Sequence, residues 1–177
     1  MRFRGLKRWL WPGAVAILLL VNLALSGAYF KQRALADTLL FERALQVHAA
    51  LHVASIEIRG VTSPDAPDAP SRIQGIIRHL TDAEAASDQL YLRRVITTSP
   101  EDLRTMPRYI QRIRQQLENM VWSHDYSALP DVNGAVEGLA AYLDNGLRSY
   151  GPQDKTAYLE QFGSIVEAYR SPYPGLQ

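Results

Sequence analysis

His48 and His52 are the residues whose type and spacing come nearest to chemistry in this chain. Four residues apart on a helix, two imidazoles lie on one face and could share a metal ion. A site of that kind needs a third ligand and a carboxylate to orient the rings. His79, His124, Glu84 and Asp125 are the residues that tertiary contact would have to bring there. No HExxH pattern occurs, and without cysteine there is no thiolate metal site, disulfide, thiol catalysis or thioether-linked haem. No cofactor is therefore implied, and metal or haem handling through His48 and His52 stands only as an alternative.

A second pattern is basic. Arg104, Arg108 and Arg112 step by four, and Arg93, Arg94 and Arg114 lie in the same sector. Such a stripe suits an anionic ligand, a lipid headgroup or an acidic partner. It is also the ordinary solvated face opposite the apolar seam Leu103, Met106, Ile110, Ile113, Leu117 and Met120, with Glu101, Asp102 and Glu118 close by. Ser123-His124-Asp125 holds the residue types of a hydrolase triad, but adjacency in sequence is not triad geometry, and no GxSxG elbow accompanies it. A loop hydrogen bond or cap is the expected role. No glycine-rich phosphate loop is present. The expectation is a protein that is not an enzyme.

The elements that position these residues begin with Trp9 to Phe30, a stretch free of charged side chains. As a helix rising about 1.5 Å per residue it matches a hydrocarbon core about 30 Å thick. Trp9 and Trp11 mark one end, and Tyr29 and Phe30 the other, as in an aromatic belt. A secretory signal cleaved before Tyr29 is the competing reading. The length of the run favours an uncleaved anchor. Arg2, Arg4, Lys7 and Arg8 precede the stretch, whereas Lys31 and Arg33 follow it, which places residues 1–8 in the cytoplasm. Without the four leading bases, 15 remain against 18 acids, so the overall charge of +1 is a topology signal rather than a nucleic-acid footprint. Asn22 lies mid-span, and with Ser26 and Gly27 nearby it marks a candidate contact to a partner helix.

Residues 31–170 then read as an extracytoplasmic helical bundle. No proline or glycine interrupts Phe30 to Arg59, so one helix is expected to continue out of the span. Leu40, Ala44, Val47, Leu51, Ala54 and Ile58 alternate steps of four and three, the seam of a bundle or coiled coil. Leu39, Leu45, Val53 and Ile56 lie off that seam and predict a broad apolar face. Residues 60–70, with three prolines, form a linker. A second helix is predicted from an N-cap at Ser71 to about Val95, with Thr81-Asp82-Ala83-Glu84 as an internal capping box. A third starts at Ser99-Pro100, or at Thr105 if Pro107 shifts it, and runs to about Trp122. A fourth follows Pro130 to Gly151-Pro152. A fifth covers about Gln153 to Arg170, and residues 171–177 form a tail. No strand is predicted.

The expected fold is all-α: an N-terminal transmembrane helix continuing into a four- to five-helix bundle. A first span running into a bundle resembles the outward half of membrane-anchored bacterial sensors at the level of architecture, with no motif matched residue by residue. The expected function is that of a single-pass bacterial inner-membrane protein whose periplasmic bundle binds another envelope protein as a scaffold or regulatory subunit. An anion-sensing module is the alternative from the arginine stripe. Homo-oligomerisation is compatible with either, and no nucleic acid is implied.

Overall fold

The computed structural model describes residues 6–61, 63, 66–92, 105–150 and 153–169, with side chains within the first helix at residue 15 and from residue 17 onward. Five helices and no strand occur among them: α1 Leu6–Arg59, α2 Ala69–Leu92, α3 Met106–Ser123, α4 Leu129–Leu147 and α5 Lys155–Ala168. The chain divides into two compact units, Met1–Thr38 and Leu39–Gln177.

In the first unit α1 carries no charged side chain from Ile17 to Phe30. From Ile17 to Phe30 its large apolar side chains are 50% to 70% exposed. Among the described residues, no helix is long and apolar enough to cross a membrane. The run with described side chains, Ile17 to Phe30, extends about 21 Å at the helical rise, short of a hydrocarbon core, before Lys31 and Arg33 end it. The rest of the expected Trp9–Phe30 span, namely the side chains of Trp9 to Ala14 and Ala16, lies outside the described residues. The described part of α1 is thus too short an apolar run to show the expected N-terminal transmembrane helix. Asn22 Nδ2 donates to the Leu18 carbonyl at 2.9 Å, so its own helix supplies a partner for the carboxamide.

The second unit is a bundle around one core. The predicted seam of α1 is its inward face: Ala44, Val47, Leu51, Ala54 and Ile58 are all fully buried. The off-seam residues divide. Leu45 packs partly against the core, but Leu39, Val53 and Ile56 are 57%, 37% and 55% exposed. Phe41 and Ala50, also off the seam, are buried in the core. The buried face of α1 is therefore broader than the seam, although Leu39, Val53 and Ile56 face out.

α2 begins earlier than the Ser71 cap predicted. The Asp68 carbonyl accepts the Arg72 N–H at 3.0 Å, and Arg72 Nε donates to the Asp68 carboxylate at 2.6 Å. The helix therefore starts at Ala69, with Pro70 at a first-turn position that needs no N–H. Thr81 does not restart it; its hydroxyl donates to the Ile77 carbonyl inside one continuous helix. α3 starts from Thr105, whose extended backbone (φ −73°, ψ 152°) precedes Met106 and Pro107. This is the later of the two predicted starts; Ser99 to Asp102 and Arg104 lie outside the described residues. Ile110, Ile113 and Leu117 are fully buried along its inward stripe, as the spacing requires.

α4 presents Val132, Val136, Leu139 and Leu143 to the core and ends at Leu147, before the predicted stop. α5 is capped by Asp154, whose carboxylate accepts the Ala157 N–H at 3.0 Å. It packs closely on α4 at Gly146, where an added Cβ would run into the Ile165 side chain. Tyr142 meets Tyr169 edge-on at 5.1 Å, and Tyr169 in turn meets Tyr109, so aromatic rings join α3, α4 and the end of α5.

Candidate functional site

The bundle brings His48 and His52 of α1 onto one carboxylate, that of Asp144 on α4. His48 Nε2 lies 2.6 Å from Asp144 Oδ1, and His52 Nδ1 lies 3.2 Å from Oδ2. The i, i+4 spacing puts both rings on one side of α1, and α4 runs past at the height where Asp144 can reach both. On its other side, His48 Nδ1 lies 3.2 Å from the hydroxyl of Tyr158 on α5. Four side chains from three helices form one connected polar cluster.

The donor and acceptor roles follow from the carboxylate. An ionised Asp144 only accepts, so His48 Nε2–H and His52 Nδ1–H donate to it. With its proton on Nε2, neutral His48 accepts at Nδ1 from the Tyr158 hydroxyl. Partial burial would raise the Asp144 pKa, but the bonds from His48 and then His52 outweigh it and hold the carboxyl below its ordinary 3.8. Burial, followed by the negative charge of Asp144, pushes Tyr158 up to about 12. The Tyr158 ring is fixed by Phe41, which meets it edge-on at 5.1 Å, and by Phe162, stacked at 6.4 Å. Lys155 Nζ sits 5.9 Å over the far ring, Phe41.

Chemically, this cluster is a hydrogen-bonded network of two imidazoles, a carboxylate and a phenol. The two imidazoles grip separate oxygens, and both nitrogens of His48 are engaged. Among the described residues no group of three or more His, Cys, Asp and Glu side chains is placed to hold a metal ion. The third-ligand candidates are elsewhere. His79 Nε2 lies 3.5 Å from Glu57 Oε1, and Glu84 pairs with Arg114. Asp144 and Tyr158 are the members that sequence reasoning missed. The available signal was an acid directly beside the buried seam residue Leu143, where a charge invites a partner.

The arginine sector takes a different form. Arg108 lines a cavity of about 110 Å³ between α2 and α3 with Glu84, Asp88, Pro107 and Gln111. Arg108 Nη1 donates to Gln111 Oε1. Arg112 is half-buried on the next turn. Arg114 bridges Glu84 at 2.8 Å and Glu118. Its partial desolvation is outweighed by those two carboxylates, which raise its pKa. Carboxylates thus line the cavity that Arg108 shares.

Ser123, His124 and Asp125 close α3. The Ser123 hydroxyl donates to the Asn119 carbonyl, His124 takes a left-handed φ of 56°, and the Asp125 carboxylate accepts the Ser127 N–H at 3.0 Å. These are helix-end contacts, as expected of the loop. Ser26 is exposed on α1. Comparison with protein-family models, with curated proteins and with solved structures finds no match.

Proposed function

We propose that this chain is a single-pass protein of a bacterial inner membrane, with its N-terminus in the cytoplasm. Its extracytoplasmic helical bundle would bind another envelope protein as a scaffold or regulatory subunit. The observation that carries the reading is the all-round exposure of bulky apolar side chains on α1 from Ile17 to Phe30. A helix apolar on every face, with no protein packed on it, matches a hydrocarbon surrounding better than water. The basic residues Arg2, Arg4, Lys7 and Arg8 supply the orientation.

Two features support a binding rather than a catalytic role for the bundle. His48, Asp144 and Tyr158 spend their polar atoms on one another. Trp122, in the last turn of α3, is 91% exposed. Tryptophan is enriched at the centres of protein interfaces, where its ring fills a partner's pocket.

The test is purification of the full chain from membranes in mild detergent, beside its Trp122→Ala variant. The expected result is resistance to alkaline extraction and a stoichiometric envelope protein that the variant loses while keeping its helicity. A chain that washes off the membrane, or that purifies with no other protein, overturns the proposal. Reporter fusion at the C-terminus, active only outside the cytoplasm, checks the orientation.

A further inference from the structure

The cavity between α2 and α3 is lined by side chains of both charges that do not pair across it. Glu84 and Asp88 stand one turn apart on α2, and Arg108 and Gln111 stand on α3 with Pro107 beside them. Glu84 pairs with Arg114, not with Arg108. Arg108 Nη1 donates to Gln111 Oε1, and among the described residues neither Arg108 nor Asp88 has an ion-pair partner. The charges are also sorted by wall. Both acids belong to α2. The guanidinium belongs to α3, where Pro107 lies in the first turn, so the positive end of that helix dipole falls on the same side. Pro107 is buried and Arg108 half-buried, which partly desolvates this wall, whereas Asp88 is exposed.

We infer that this cavity binds a small zwitterion, an α-amino acid the size of glycine or alanine. Its carboxylate takes the planar fork of Arg108, and its ammonium takes the Asp88 carboxylate on the facing helix. A lone anion drawn to Arg108 would meet two carboxylates, and a lone cation drawn to Asp88 would meet the guanidinium. A molecule carrying both charges satisfies both walls. The volume sets the size: a cavity of about 110 Å³ has room for about four water-sized groups, which is an ammonium, one or two carbons and a carboxylate. The site lies wholly within the second unit, so it is independent of the membrane and partner reading above.

Equilibrium dialysis of the full-length protein in mild detergent against isotopically labelled glycine, and separately alanine, tests the site. The expected result is saturable binding of one molecule per chain for at least one of them. Acetate and methylamine, each carrying one of the two charges, should compete at least about tenfold more weakly than the unlabelled amino acid. Asp88→Asn and Arg108→Gln should each lower the affinity about tenfold or more, with far-UV circular dichroism unchanged. Asp82→Asn, exposed on α2 and outside the cavity lining, should leave binding as it is. Because Asp88 is exposed, its variant decides the matter if Arg108→Gln fails to fold. Folded protein that takes up neither amino acid overturns the site. Acetate or methylamine competing as well as the amino acid overturns the zwitterion. Binding that survives Asp88→Asn, or that Asp82→Asn weakens equally, overturns the assignment to this cavity.

Discussion

Two polar clusters tie the bundle together, and they are built on opposite plans. The cluster on α1, α4 and α5 puts one carboxylate, Asp144, between two imidazoles and adds the hydroxyl of a buried tyrosine. The cluster on α2 and α3 puts one guanidinium, Arg114, between two carboxylates. In the first, two of the four partners come from elements other than α1, and each bond spans about a hundred residues of sequence. In the second, Glu118 is one helical turn away on the same helix. The first should therefore matter more to how the helices assemble, while the second divides between the α2–α3 contact through Glu84 and the local stiffness of α3 through Glu118. A hydrogen bond whose partners come from distant helices is lost when the helices part, whereas an i, i+4 pair survives in the isolated helix.

The largest effect expected on this comparison comes from Tyr158, because it joins the polar cluster to the core. Tyr158→Ala removes a ring that is 3% exposed and wedged between Phe41 and Phe162. It should cost about 3–5 kcal/mol, as large aromatic deletions in cores do. Tyr158→Phe keeps the ring and removes only the bond to His48, for about 1 kcal/mol. Urea unfolding of both variants separates packing from hydrogen bonding. Equal losses would mean that the hydroxyl, not the ring, holds α5.

Asp144 comes next. Asp144→Ala leaves His48 and His52 without their acceptor and should cost about 1–2 kcal/mol, the lower part of the usual range because the site is partly open to water. The pH dependence has a definite sign. The folded-state pKa of Asp144 is below the ordinary 3.8, so its contribution is present above that value and is lost as pH falls below it. Wild type and Asp144→Asn should thus differ in stability at neutral pH and converge in acid. Tyr158 acts at the other end of the scale. Its pKa is raised from 10.0 to about 12, so stability should fall as pH rises through that interval, where the unfolded chain ionises first. Denaturant midpoints measured across both ranges read the two effects. No convergence in acid would remove Asp144 from the stabilising cluster.

What the sequence made legible here is the period, and what it hid is the pairing. The α1 seam through Val47, Leu51 and Ala54 and the α3 stripe through Ile110, Ile113 and Leu117 are buried as their spacing demands. α3 starts after Thr105, the later of the starts left open by the sequence, because the Pro107 ring without an N–H is tolerated in the first turn. The same logic placed His48 and His52 on one face but had no means of finding Asp144, which is 96 residues from His48. Helical period says which side a residue faces, not which element arrives there. Val53 and Ile56 show the converse limit. Their apolarity read as core, but the covered face of α1, which takes in Phe41 and Ala50 beside the seam, stops short of them.

The smallest effects belong to the second cluster, and they sharpen the contrast between the two plans. Glu84→Gln removes one of the two carboxylates on Arg114, but Glu118 remains on the next turn. The expected cost is at most about 1 kcal/mol, since the surviving pair keeps the guanidinium satisfied. Glu118→Gln alone should behave in the same way. The double variant strips Arg114 of both partners and should exceed the sum of the two single losses, because a half-buried charge is then left unpaired. A double-mutant cycle read by chemical denaturation measures that excess. If the losses simply add, the two carboxylates act independently, and the α2–α3 cluster is a pair of surface contacts rather than a shared clamp. That outcome would leave the His48, His52, Asp144 and Tyr158 cluster as the one polar device among these that acts cooperatively in holding helices together.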